Sequence, residues 1–144
     1  MIEALANVLH VLGVLIWIGG MFYTLFVFRP SLQILKPEER LNLVLQAMGR
    51  FFRYVWIAIL LLFLTGAYRV HLHIHSYLFE IKLIIYFLMV AVFSYIYFFL
   101  YKKLPKIPNL EKPNLINKII VLIKLNFGLG LLVILLIELY KKGV

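Results

Sequence analysis

Long apolar runs alternate with short polar connections along the whole chain. The runs fall at Ala4–Phe28, Phe52–His71, Tyr77–Tyr101 and Leu115–Tyr140. Each is near or above the ~20 residues that a membrane-spanning helix needs. In lipid the backbone N–H and C=O groups must bond within their own segment, so these runs predict helices. Prolines punctuate the breaks: Pro30 and Pro37 end the first run, and Pro105, Pro108 and Pro113 fill the third connection. The segment KPEER (36–40) predicts the start of a short amphipathic helix reaching about Met48. Its Leu41, Leu45 and Met48 recur at helical spacing, as in a helix lying along the interface. The pattern predicts an all-α membrane protein made of one integral membrane domain, residues 1–144. Its architecture would be an antiparallel four-transmembrane-helix bundle, with that short interfacial helix between the first and second spans. The opening MIEALANVLHVLGVLIWIGG lacks a basic leader and a small-residue cleavage site, so it predicts a retained span.

Composition agrees. Apolar residues make up 65% of the chain, against about 45–50% in soluble domains. No polar stretch exceeds a loop. With no cysteine, disulfides, thiolate metal sites and thiol catalysis are excluded. The net charge of +9 comes from short loops beside apolar runs, a topology signal and a lipid contact, and not a nucleic-acid surface.

Charge also predicts orientation. The first connection carries Arg29, Lys36, Arg40, Arg50 and Arg53, and the third carries Lys102, Lys103, Lys106, Lys112 and Lys118. The opposite side holds only Arg69, Lys82, Lys141 and Lys142. The positive-inside rule then places residues 29–53 and 102–118 in the cytoplasm of a bacterial inner-membrane protein, with both termini and the 69–76 loop outside.

The chemistry-bearing residues concentrate on that outer side. RVHLHIHS (69–76) holds His71, His73 and His75, and His10 lies in the first run. His10 and His71 lie equally far along their runs from Phe28 and Arg53, roughly 27 Å at 1.5 Å per residue. All four histidines therefore fall on one side of the bilayer. His10, Gly13, Trp17 and Gly20 form one helical stripe. A glycine one turn from a histidine leaves a hollow that admits either a flat macrocycle or a close neighbouring helix; Gly66, Gly128 and Gly130 suit helix packing too. Arg69 and Lys82 would snorkel or hold the carboxylates of an anionic ligand. Tyr86, Met89, Phe93 and Tyr97 form a second stripe that suits a cofactor wall or ordinary core. Asn126 suits an interhelical hydrogen bond. His10 is a lone polar residue in an apolar helix and needs a partner.

HVLGVLIWIGGMFYTLFVFRPSL (10–32) and RFFRYVWIAILLLFLTGAY (50–68), with IKL (81–83), resemble the small bacterial CopD-like proteins, relatives of the copper resistance D domain. The resemblance covers the first half of the chain more fully than the second. It implies a four-helix membrane protein linked to copper handling. LHVLGVLIWIGGMFYTLFVF, with Lys82 before Leu83, is also similar to the HemJ-type protoporphyrinogen oxidases.

Three functions follow as expectations. The first is a b-type haem protein, cytochrome b-like, carrying electrons or doing redox chemistry near the outer face. One or two haems would be ligated by His10 with His71, then His75 or His73, and Gly13, Trp17, Arg69, Lys82 and Tyr86 would line the pocket. Its partners would be the lipid bilayer and a quinone or periplasmic redox protein. A haem-dependent oxidoreductase activity, HemJ-like included, stays open. The second is copper binding or transport, with His10, His71, His73 and His75 as ligands. The third is a structural subunit without cofactor, and homo-oligomerisation is compatible with each.

Overall fold

The computed structural model describes the backbone of residues 1–73 and 77–141, and the side chains of residues 1–68 and 80–139. No strand occurs among the described residues. Four helices are long and apolar enough to cross a membrane: Ile2–Ile34, Pro37–Tyr68, Glu80–Lys106 and Lys112–Leu139. We label the elements α1 (Ile2–Ile34), α2 (Pro37–His73), α3 (Tyr77–Tyr95, continued by wider and tighter turns to Lys106) and α4 (Lys112–Lys141). They form two compact units, α1 with α2 in Met1–Ile74 and α3 with α4 in His75–Val144.

In the first unit, α1 widens into π turns at Leu15–Gly19 and Thr24–Phe28. The second wide turn starts where Thr24 Oγ1 donates to Gly20 O at 2.8 Å, a side-chain bond that competes with the backbone ladder and bends helices. The helix tightens to a 3₁₀ turn at Leu32–Ile34 and stops at an extended Leu35. Pro37 opens α2, where a missing N–H costs nothing. Glu38 and Glu39 follow in the first turn, where the helix dipole favours negative charge. Arg40 staples the reversal, its Nε donating to Leu32 O and its Nη2 to Leu35 O, both at 3.1 Å.

The separate interfacial helix expected at 36–48 is absent as an element: α2 runs unbroken for 37 residues. At 1.5 Å per residue that is about 55 Å, well beyond a ~30 Å hydrocarbon core. The reason is local. After Pro37 the next proline is Pro105, and the arginines at 50 and 53 are good helix formers that do not interrupt the ladder. Met48 begins a buried stripe that continues through Phe52, Val55, Ala58 and Thr65. The amphipathic face read as interfacial is thus the first part of a packing face.

The helices of this unit are antiparallel, and glycines set their approach. A Cβ on Gly13 would come within 3.0 Å of Leu62 Cγ and 3.3 Å of Ala58 O, and one on Gly20 would overlap the Phe51 ring. Small residues at such contacts let membrane helices pack where lipid offers no hydrophobic drive. Gly66 and Gly128 meet no such neighbour within 4 Å, so their expected packing role is not borne out among the described residues.

In the second unit the short connection 107–111 sends α4 back along α3. Glu111 N donates to Pro108 O at 3.0 Å and Lys112 N to Asn109 O at 3.4 Å, closing the turn. The core stripe of α3 is Ile85, Met89, Phe93, Ile96, Leu100 and Leu104, and that of α4 includes Ile119, Ile123 and Asn126.

Candidate functional site

His10 lies on the buried side of α1, one turn before Gly13 and two before Trp17, which is 2% exposed. Its Nδ1 lies 3.0 Å from Thr65 Oγ1 on α2. Thr65 Oγ1 also reaches back to its own helix, 2.8 Å from Leu61 O and 3.3 Å from Leu62 O. The tautomer of the imidazole sets which member of the His10–Thr65 pair donates. A contact of this kind holds the ring plane, which is how proteins orient a metal-ligating histidine. It also satisfies a polar ring that would be costly in an apolar helix.

Thr65 is the residue that the spacing argument missed. Matched distances from the run ends offer His71 as a partner for His10, and the structure adds a contact with Thr65. His71 lies six positions further along α2, roughly 9 Å at 1.5 Å per residue. The side chains of His71, His73 and Arg69, and residue His75, lie outside the described residues. Lys82 and Tyr86, offered with them as pocket residues, stand half-buried on α3 in the second unit. Among the described residues, no three His, Asp or Glu side chains cluster as a metal cage.

Leu62 packs against Gly13, with Cγ and Cδ2 standing 3.0 and 3.2 Å from where a Gly13 Cβ would be. Gly13 thus serves helix packing in this structure. The second stripe is likewise core: Met89 and Phe93 are buried, and Phe93, Tyr97 and Tyr101 follow one another with ring centroids 6.1 and 5.6 Å apart. Asn126 behaves as expected, donating from Nδ2 to Met89 O at 3.1 Å across the α3–α4 pair.

Residues 45–139 match the family model of copper resistance protein D. The chain belongs to that family. No curated protein matches it, and no solved structure does. The match spans most of α2, all of α3 and all but the last two residues of α4, so it includes Thr65, Met89 and Asn126. The resemblance read from sequence leaned on residues 10–32 and 50–68. The family match extends through the second half and begins after α1. It names copper resistance, and neither a cytochrome b nor a porphyrinogen oxidase.

Proposed function

We propose that this membrane protein handles copper as cargo, with His10 as one ligand and the histidines of 71–75 as the source of the others. The observation that carries the reading is the copper resistance protein D match over residues 45–139. The donor chemistry is compatible with it. Imidazole suits copper, and without cysteine the chain has no thiolate to offer. The Thr65 bond holds the plane of the His10 ring, as a hydrogen-bond partner does for a metal-ligating histidine. The family match supports copper over haem b.

The orientation belongs to the same proposal. Within the first unit His10 stands far from the basic turn that carries Arg29, Lys36 and Arg40. In the second unit Lys102, Lys103 and Lys106 stand at the α3–α4 turn. With the basic turns cytoplasmic, the histidine end faces outward in a bacterial inner membrane, where it would meet copper before the membrane is crossed.

The test is purification from copper-supplemented, haem-sufficient cells, followed by metal analysis and a visible spectrum. Copper retained by the protein and lost in His10→Ala supports the reading. A Soret band with sharp reduced α and β bands would overturn it in favour of haem.

A further inference from the structure

Arg50 and Arg53 stand within the length of α2 and not at its end. Arg53 lies about 24 Å along the helix from Pro37, at 1.5 Å per residue. Gly20 lies against Phe51, so the two arginines come level with the middle of α1. From there α1 stays almost wholly apolar to Phe28 and exposes Phe22, Tyr23 and Phe26. The arginines therefore stand beside a length of α1 suited to lipid. Both are exposed, and neither makes an ion pair or hydrogen bond among the described residues. Charges beside hydrocarbon are costly unless they pair or reach polar surroundings.

The face they occupy is graded. Gln46, Arg50, Arg53, Ile57, Leu60 and Leu64 recur every three or four residues, one continuous stripe along a helix. All six are exposed, Ile57, Leu60 and Leu64 by 49%, 56% and 56%. The stripe lies on the opposite side of α2 from the buried Met48, Phe52, Val55 and Ala58. In chain order it passes from a neutral amide, through two cations, to bare hydrocarbon. From Arg53 to Leu64 is about 16 Å, close to half of a ~30 Å hydrocarbon core and so the depth of one leaflet.

We propose that this face of α2 binds an anionic phospholipid, with its phosphate on Arg50 and Arg53 and an acyl chain along Ile57, Leu60 and Leu64. A phospholipid presents the same order of groups: polar headgroup tip, phosphate, hydrocarbon. A free phosphate matches the arginines alone, whereas a lipid matches the whole stripe. Guanidinium groups bind phosphate oxygens through paired N–H donors, and an anionic headgroup carries no cation of its own to oppose them. Thr65, the contact of His10, lies about 18 Å further along α2. The lipid site is separate from the copper reading and does not depend on it.

The experiment titrates the purified full chain in detergent with dioleoyl phosphatidylglycerol or dioleoyl phosphatidylcholine and counts bound lipid by native mass spectrometry. The wild type should bind the phosphatidylglycerol more tightly. Arg50→Gln and Arg53→Gln should each weaken that binding about fivefold, and the double variant about 25-fold, the scale set by one surface cation acting on an acidic lipid. Phosphatidylcholine binding should not change, which also shows that the variants fold. Lys103→Gln with Lys106→Gln, which removes two exposed charges elsewhere, should leave phosphatidylglycerol binding intact. Excess glycerol phosphate, a headgroup without chains, should not displace the lipid. Equal phosphatidylglycerol binding by the wild type and the double arginine variant overturns the proposal. So does an equal loss in the lysine variant, which would make net charge the cause, or displacement by glycerol phosphate, which would make the site one for a free anion.

Discussion

His10 Nδ1 and Thr65 Oγ1 meet at 3.0 Å across α1 and α2, 55 residues apart in sequence. This bond ties the one histidine whose side chain is described to the helix that leads into RVHLHIHS, and it holds the plane of the ring. Thr65→Val keeps the shape and removes the hydroxyl. Loss of such a bond to a ligating histidine typically weakens metal affinity by about 10–100-fold, while the net stability cost of one hydrogen bond is about 1 kcal/mol. Copper competition titrations should show the first effect and thermal unfolding only the second. Equal affinities in wild type and Thr65→Val would remove Thr65 from the site.

The contact between Gly20 and Phe51 predicts a directional defect. Gly20→Val places carbon where the Phe51 ring stands, and overpacking a close helix contact costs about 1–3 kcal/mol. Phe51→Ala opens the same place, so the double variant should be more stable than the sum of the two single changes implies. Strict additivity in thermal or denaturant unfolding would contradict the contact.

Arg40 reaches two carbonyls at once, Leu32 O and Leu35 O. Its guanidinium does this as a fork, which a lysine ammonium cannot copy. Arg40→Ala and Arg40→Lys should both destabilise the α1–α2 reversal, by about 1–2 kcal/mol given charge-assisted bonds at a half-exposed site. Rescue by lysine would show that charge alone matters there.

The four spanning helices were legible in sequence because length and apolarity suffice to force helix in lipid. The unbroken α2 was not. Arg50 and Arg53 look like a membrane boundary, but a helix ends where its backbone bonds end, and no proline stands between Pro37 and the end of α2. That misplaced boundary also hid Thr65. Gly20 lies against Phe51, so the register is shifted from one that aligns Phe28 with Arg53, and Thr65 comes opposite His10. Interhelical register depends on which small residues meet, and no period within one helix encodes it. Asn126 was legible because a lone amide in an apolar helix has few alternatives to bridging.

Orientation is directly measurable because the chain contains no cysteine. Single cysteines at Glu3 and at Asn109 provide background-free reporters. In intact cells a membrane-impermeant thiol reagent should label Glu3→Cys and spare Asn109→Cys until the membrane is opened. The reverse pattern would invert the topology.

The most direct test of the copper account is equilibrium competition for copper between a chelator of known affinity and the protein in lipid nanodiscs, wild type against His10→Ala. The account predicts saturable binding by the wild type and a loss of at least about tenfold in affinity for His10→Ala, the scale of removing a well-oriented ligand. Identical binding by the two proteins, or no copper bound by either, would contradict it.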